Sequence, residues 1–171
     1  PGTVLEMPPL APRTGSGAFI RGLARAALRL GGWRMVGAWP DVERAMVIAA
    51  PHSSMWDAWW GILVKIAMGA NIEFMAKKEA FFWPLGPVLR AVGGFPVDRK
   101  SPGGVVEQLI ARIQPGTHCW LVIAPEGTRK RVERWKSGFW KIATAAQVPV
   151  VCTYFHYPDK IIGVGPTLSM S

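Results

Sequence analysis

Three segments of the chain carry side chains that are able to move a proton or to bind an anion. The first is Pro51-His52-Ser53-Ser54-Met55-Trp56-Asp57, in which four residues separate a histidine from an aspartate. A carboxylate that accepts a hydrogen bond from one imidazole nitrogen leaves the other nitrogen as a base. The spacing therefore predicts His52 as a general base that Asp57 orients. The alternative is that His52 is a structural or helix-capping residue.

The second segment is Glu126-Gly127-Thr128-Arg129, which closely follows an apolar run. Gly127 permits a tight turn with close backbone approach, and Arg129 presents a guanidinium fork that suits phosphate. Glu126 is expected to orient this arginine or to contact a glycerol group of the bound ligand. A third segment ends in Asp98-Arg99 and places another arginine after an apolar run. Two arginines near a histidine predict a phosphate pocket, although either arginine alone is also typical of a solvated surface.

Apolar runs alternate with helical patterns along most of the chain, and all three segments lie just after such runs. The predicted strands are residues 45–50, 72–76, 95–97, 119–124, 148–154 and 161–168. The predicted helices are residues 18–30, 56–68, 88–92, 105–113 and 137–146. This alternation predicts an α/β layered domain with a mixed, mostly parallel sheet flanked by helices. Active sites of such sheets gather beyond the carboxyl ends of the strands, so we expect the three segments to meet there.

The first 30 residues predict a flexible arm and a basic helix. Residues 1–17 are rich in proline, glycine and threonine and are predicted to form the arm, which precedes a domain at residues 18–171. In the helix, residues at helical spacing form an apolar face and a neighbouring basic stripe, namely Phe19, Leu23, Ala27 and Leu30 beside Arg21, Arg25 and Arg29. Such a helix is able to lie in a bilayer interface, to pack on the domain with its arginines in water, or both.

The composition of the 171 residues is apolar and basic. Half of the residues are hydrophobic, 18% are charged and the net charge is +9, which argues against disorder and favours polyanionic partners. Nine tryptophans favour a lipid surface over nucleic acid, unless they fill the core. No run of about 18 uncharged apolar residues occurs, so no membrane-spanning helix is predicted.

The motifs of several other enzyme classes are missing from the sequence. It contains no G-x-S-x-G elbow, phosphate-binding Walker loop or dinucleotide fingerprint. Cys119 and Cys152 lie outside any C-x-x-C spacing, so they predict buried, reduced thiols rather than a zinc site or a redox pair. His156 and Asp159 imitate part of a catalytic spacing, but Tyr157-Pro158 predicts a turn there.

With these segments in order, the sequence resembles the glycerophospholipid acyltransferase family, above all the bacterial lysophosphatidic acid (1-acyl-sn-glycerol-3-phosphate) acyltransferases. The resemblance covers about residues 20–168. Four motifs match in chain order: His52 with Ser54 and Asp57, residues 95–99, residues 126–129, and residues 148–151. Pro51 replaces an asparagine that often precedes the histidine, and Cys152 replaces a second proline of the last motif.

The resemblance implies transfer of a fatty acyl group from acyl-CoA or acyl-carrier protein to a lysophosphatidic acid-like acceptor in phospholipid biosynthesis. His52 would be the general base and Asp57 its orienting group. The residues that would bind the acceptor phosphate or shape its pocket are Arg99, Arg129, Glu126, Gly127 and Thr128. Lys77 and Lys78 are expected to add positive charge, unless they are simply solvated.

The resemblance further implies an enzyme without a metal or bound cofactor, placed peripherally on the cytoplasmic face of the cell membrane. The aromatic run Phe81-Phe82-Trp83 is expected to line an acyl tunnel, to enter the bilayer or to fill the core. Two alternatives stay open. The same chemistry would serve another lysolipid, an amino-acid lipid or a glycolipid, and a non-catalytic basic module would bind anionic lipid or nucleic acid.

Overall fold

A seven-stranded sheet organises the part of the chain that the computed structural model describes, which is residues 4–50, 55–125, 133–135 and 137–169. The strands are β1 (Arg34–Val36), β2 (Arg44–Ala49), β3 (Ile72–Lys77), β4 (Gly94–Val97), β5 (Cys119–Ile123), β6 (Val150–His156) and β7 (Ile161–Leu168). The helices are α1 (Ala18–Leu30), α2 (Met55–Met68), α3 (Leu85–Ala91), α4 (Gly104–Arg112) and α5 (Gly138–Ala146), and a 3-10 turn spans Lys78–Ala80.

Five neighbouring strands of the sheet run parallel. The strand order is β1-β7-β6-β2-β5-β3-β4, and every pairing from β6 to β4 is parallel. β7 runs antiparallel to β6, and β1 pairs parallel with β7. The sheet is therefore mixed and mostly parallel, as the sequence predicts. The carboxyl ends of β6, β2, β5, β3 and β4 consequently lie along one edge, which we call the carboxyl edge.

The central strands are buried on both faces, which explains why they read as continuous apolar runs. On β2, Ala45 and Val47 face a core shared with α1 and α2. The alternate residues Met46 and Ile48 face a second core shared with α4 and α5. Helices thus cover both faces of the sheet, and the α/β layered fold class is confirmed.

Two features of the sheet differ from the sequence prediction. β1 has only three residues, too few to show a period-2 pattern, and it was not predicted. It pairs with β7, so residues 161–168 form an internal strand and not the edge strand that we expected. α3 also begins at Leu85, three residues earlier than predicted.

Residues 4–17, which were expected to form a flexible arm, contact the domain. Met7 and Ala11 are buried in the core on the α1 and α2 side of the sheet. The Thr14 amide donates to the Gly69 carbonyl at 2.8 Å, and the Asn71 amide donates to the Pro12 carbonyl at 3.0 Å. The division of the chain at residue 17 stays a prediction.

The N-terminal helix forms at the predicted residues, but its apolar face points outwards. α1 packs on α2 through Ala24 and Leu28, whereas Phe19, Leu23 and Leu30 are exposed. The guanidinium Nε of Arg25 donates to the Ala67 carbonyl at 3.1 Å. α1 therefore packs on the domain through Ala24 and Leu28, while Arg25 and Arg29 remain exposed to water as the packing alternative expects. Arg21 is only partly exposed, and its Nη1 donates to the Ser16 carbonyl at 2.6 Å.

The two helices run antiparallel. Arg25 of α1 meets the last turn of α2, while Gly31 at the end of α1 lies against Trp60 near the start of α2. A Cβ at position 31 would come within 2.6 Å of that indole ring, so the close approach requires glycine. α1 thus ends beside the carboxyl edge. No helix within the described ranges is long and apolar enough to cross a bilayer.

Arg44 at the amino edge of the sheet joins two helices to β2. Its Nη1 donates to the Ile113 carbonyl at 2.8 Å and to the Ala146 carbonyl at 3.1 Å, just beyond α4 and at the end of α5. A cation suits these positions, because the last carbonyls of a helix lack backbone partners and carry partial negative charge.

We expect Arg44→Ala to lower the free energy of unfolding by about 2 kcal/mol, because two partly buried carbonyls lose a charged donor. Urea denaturation followed by circular dichroism measures this change. Arg34→Ala is the matched control, since Arg34 is an exposed arginine on the short strand β1. Equal stability of the two variants would contradict the role of Arg44.

Candidate functional site

The carboxyl edge brings together the strand ends that precede each predicted site segment. β2 ends at Ala49 and β5 at Ile123, and these neighbouring strands pair in register at Ile48 and Ile123. His52 and Ser54 follow the first strand end in sequence, and residues 126–129 follow the second. These predicted residues lie outside the described ranges. Because β2 and β5 end side by side, they support the prediction that the segments following them lie close together. The side-chain geometry of these segments stays a prediction.

Asp57 is the predicted site residue whose surroundings are defined in most detail. It lies in the first turn of α2, where a carboxylate interacts favourably with the helix dipole. Its exposed fraction is only 4%. The hydroxyl of Tyr157 donates a hydrogen bond to Oδ1 of Asp57. A buried carboxylate at the start of the helix that follows β2 is well placed to orient a group at that strand end.

Tyr157 is a site residue that the sequence analysis missed. It follows β6, a strand that neighbours β2 and ends at the same edge. The sequence indicated only a turn at Tyr157-Pro158. The signal that was available is its position directly after a strand, which is the criterion that singled out the other segments. The interaction itself joins residues 100 positions apart and leaves no local pattern.

An aromatic cluster holds the Tyr157 ring. The ring meets the buried Trp33 edge-on at 5.1 Å between centroids and 86° between planes. It stacks on Phe155 at 6.5 Å and 28°. Trp33 also contacts Trp60 of α2 at 5.4 Å. Residues from β6, from the turn after α1 and from α2 thus fix the position of the tyrosine.

The loop after β4 places Arg99 at the carboxyl edge, with its side chain exposed. The preceding Asp98 stabilises this loop, because its Oδ1 accepts a hydrogen bond from the Lys100 amide at 2.9 Å. The side chain of Gln108 on α4 donates to the Asp98 carbonyl at 2.8 Å and accepts from the Asp98 amide at 3.0 Å. The backbone that carries Arg99 is therefore held in place by its neighbours.

Lys77 and Lys78 lie at the same edge and differ in their partners. Lys77 is the exposed last residue of β3. The Nζ of Lys78 forms an ion pair with Oδ2 of Asp98 at 2.9 Å. The Lys100 amide and the Lys78 ammonium lower the pKa of Asp98, and the hydrogen bond to Asp98 raises the pKa of Lys78. Both groups therefore stay charged around neutral pH, and Lys78 is engaged with Asp98.

Lys65 is the other buried charged side chain besides Asp57 in the described part of the chain. It lies toward the far end of α2, close to the turn at Gly93 that precedes β4. Burial lowers the pKa of Lys65, while the nearby Glu73 acts in the opposite direction. Because Glu73 lies near the amino end of β3, Lys65 is remote from the carboxyl edge and does not belong to the site.

Other candidate groups fall outside the site. Nδ1 of His156, the last residue of β6, lies 3.4 Å from Oδ2 of Asp159 on the following turn, and both side chains are well exposed. Cys119 and Cys152 are free, and burial raises the pKa of both thiols. Over the residues with described positions, no group of three or more histidine, cysteine, aspartate or glutamate side chains is able to hold a metal ion.

The aromatic run after β3 does not fill the core as a unit. Phe82 and Trp83 are 58% and 84% exposed, which excludes core packing for these two residues. Phe81 is partly buried beneath the guanidinium of Arg90, whose Cζ lies 4.8 Å from the ring centroid. Trp56 and Trp59, in the first turns of α2, are also more than half exposed. Exposed aromatic side chains therefore lie at the carboxyl edge after β3 and in the first turns of α2.

The sequence matches the protein-family model described as Acyltransferase over residues 21–156. It is similar to a 1-acyl-sn-glycerol-3-phosphate acyltransferase from Streptococcus pneumoniae, with 26% identity over 126 residues, 73% of this chain and 47% of the relative. A 1-acyl-sn-glycerol-3-phosphate acyltransferase from Bacillus subtilis is 30% identical over 125 residues, 69% of this chain and 59% of the relative. The chain spans about half the length of these curated relatives.

The fold is similar to that of a solved structure, the 1-acyl-sn-glycerophosphate (LPA) acyltransferase PlsC from Thermotoga maritima. The TM-score is 0.61, and the similarity covers 88% of this chain and 68% of the solved one. Sequence identity is 19%, so this similarity concerns the fold. It agrees with the α/β sheet and flanking helices described above.

Proposed function

The chain belongs to the Acyltransferase family, and we propose that it moves a fatty acyl group from a thioester to the free hydroxyl of a lysophosphatidic acid-like acceptor, giving phosphatidic acid. The observation that carries the proposal is the buried carboxylate of Asp57 at the carboxyl edge, five positions after His52. Arg99 follows a strand that ends at the same edge. The names of the similar acyltransferases agree with this choice of reaction and acceptor.

The proposed reaction needs one proton acceptor and no covalent enzyme intermediate. His52 takes the proton of the acceptor hydroxyl while that oxygen attacks the thioester carbonyl. The new ester C–O bond forms, the C–S bond breaks, and the proton passes from the imidazolium to the departing thiolate. Asp57 holds the imidazole in the tautomer that leaves one nitrogen basic, and its charge stabilises the imidazolium.

Arginine side chains are proposed to hold the acceptor phosphate. Arg99 follows β4 and Arg129 follows β5, two strands that are separated only by β3. A guanidinium group is able to donate two parallel hydrogen bonds to two oxygens of one phosphate. This geometry orients the acceptor as well as attracting it. Glu126, Gly127 and Thr128 are proposed to shape this pocket, and the exposed Lys77 adds positive charge. No bound cofactor is required, because the thioester itself supplies the activated acyl group.

The acyl donor is proposed to be acyl-CoA or acyl-carrier protein, and both present the same thioester. A lysophospholipid is the proposed acceptor because a phosphate pocket beside a base suits it. Another lysolipid, an amino-acid lipid or a glycolipid remains the alternative within the same chemistry.

We further propose that the protein works at the cytoplasmic face of the cell membrane as a peripheral enzyme. The outward face of α1 presents Leu23 and Leu30, which are 56% and 89% exposed, and Arg29 lies beside them. Leu30 lies near the carboxyl edge because α1 ends beside the start of α2. Trp56 and Trp59 are exposed at that end of α2. Tryptophan, apolar and cationic side chains together suit an anionic lipid interface.

The acyl-transfer proposal predicts that His52→Ala lowers kcat by at least about 100-fold, because the general base is lost. Purified protein is incubated with labelled acyl-CoA and a panel of lysolipids, and the products are identified by mass. His118→Ala is the control, because His118 is exposed at the opposite edge of the sheet. Full activity of His52→Ala would exclude the mechanism, and tight DNA binding without acyl transfer would favour a non-catalytic module.

The phosphate pocket predicts that Arg99→Ala and Arg129→Ala each raise KM for lysophosphatidic acid roughly 10-fold or more, because a charge-assisted hydrogen bond is lost. The same variants are assayed with monoacylglycerol, which lacks the phosphate and should show little difference from the wild type. Arg34→Ala serves as the control on the far strand. An equal deficit with both acceptors would contradict the phosphate role.

The membrane proposal predicts that the double variant Leu23→Ser, Leu30→Ser binds vesicles of phosphatidylglycerol and phosphatidylcholine about 10-fold more weakly, because exposed apolar area is lost. Sedimentation with the vesicles measures the bound fraction. The matched control is Leu10→Ser, Leu168→Ser, which removes two exposed leucines elsewhere. Equal binding by both double variants would assign α1 a packing role alone.

A further inference from the structure

We propose that Tyr157 is a positioning residue of the acyltransferase reaction, acting on the substrate only through Asp57. The inference deepens the proposed function and rests on it, because it assigns Tyr157 the task of holding the carboxylate that orients the general base. It starts from one contact, the hydrogen bond from the Tyr157 hydroxyl to Oδ1 of Asp57.

The hydrogen bond offsets part of the cost of burying the Asp57 carboxylate. Asp57 is 4% exposed, and burying a carboxylate without hydrogen-bond donors costs several kcal/mol. The phenol supplies a donor that carries no charge of its own. The negative charge of Asp57 is therefore satisfied but not cancelled, and it remains able to stabilise an imidazolium.

The contact also restricts the orientation of the carboxylate. The Tyr157 ring contacts both Trp33 and Phe155, and these contacts restrict the direction of its hydroxyl. A fixed donor on Oδ1 restricts rotation of the carboxylate about its Cβ–Cγ bond. Oδ2 is then the oxygen that would accept the imidazole N–H of His52. A small error in the orientation of the imidazole lowers the reaction rate, because the base must keep one tautomer and point toward the acceptor hydroxyl.

The surroundings of Tyr157 come from distant parts of the chain. Trp33 follows α1, Trp60 lies one turn after Asp57 on α2, and Phe155 precedes Tyr157 on β6. The Tyr157 ring is 40% exposed, and its contacts with Trp33 and Phe155 lie where the helix layer meets the end of β6. A tyrosine used only for packing would not need its hydroxyl on a buried carboxylate, so the hydroxyl is the group to test.

The chain offers a matched pair for the experiment, because Tyr154 and Tyr157 are its only tyrosines. Tyr157→Phe removes the hydroxyl and keeps the ring that packs on Trp33. We expect kcat for acyl transfer to fall about 10-fold, which corresponds to about 1.4 kcal/mol of transition-state stabilisation. KM for acceptor and donor should stay within about twofold, because the proposed role of Tyr157 is to act through Asp57 and not on either substrate. Tyr154→Phe removes the other phenolic hydroxyl and should leave kcat unchanged.

A double-mutant cycle separates positioning through Asp57 from a general structural effect. In the Asp57→Ala background, measured at high enzyme concentration, adding Tyr157→Phe should cause no further loss. An equal 10-fold loss in that background would overturn the inference. So would full activity of Tyr157→Phe, a change confined to KM, or failure of this variant to fold.

Failure of the proposed function gives a different result. If the wild-type protein transfers no acyl group to any lysolipid, the reaction itself is wrong and the role of Tyr157 falls with it. If the wild type is active and His52→Ala is inactive while Tyr157→Phe is fully active, the reaction stands and only the positioning role is lost.

Discussion

The parallel pairing of five strands is the constraint on which the site depends. Since β6, β2, β5, β3 and β4 all point the same way, the segments that follow them lie along one edge of the sheet. Residues far apart in sequence are brought to that edge by the strands, and contacts between the segments, such as Tyr157 with Asp57 and Lys78 with Asp98, form there. Burial of the apolar strands fixes the register in which they pair. The positions of the residues that follow the strand ends depend on that register.

The buried carboxylate of Asp57 links the aromatic packing at this edge to the proposed proton transfer. Asp57 is almost excluded from water at the start of α2, and the ring of its donor, Tyr157, contacts Trp33 and Phe155. Trp33 directly follows the turn that ends α1, whose apolar face is turned outwards. Trp33 therefore connects the end of the proposed membrane helix to Tyr157, which in turn donates to the proposed catalytic carboxylate of Asp57. In this arrangement, a membrane bound to α1 would lie close to the proposed site.

Much of the fold was readable from the sequence, and the exceptions have physical causes. β2 and β5 are continuous apolar runs because they are buried on both faces, and the amphipathic pattern of α1 located the helix. The pattern did not reveal which face of α1 packs, because the contact uses Ala24 and Leu28 against α2. The position of Asp57 was predicted from motif spacing. Tyr157 was not, since its partner lies 100 positions away.

The central claim is that a general base and a phosphate pocket share one edge of the sheet. A crystal structure of the protein with bound lysophosphatidic acid tests it most directly. We expect the free hydroxyl about 3 Å from one imidazole nitrogen of His52, while the other nitrogen donates to Asp57. The phosphate should contact Arg99 and Arg129. An acceptor bound elsewhere, or a His52 side chain turned away from Asp57, would contradict it.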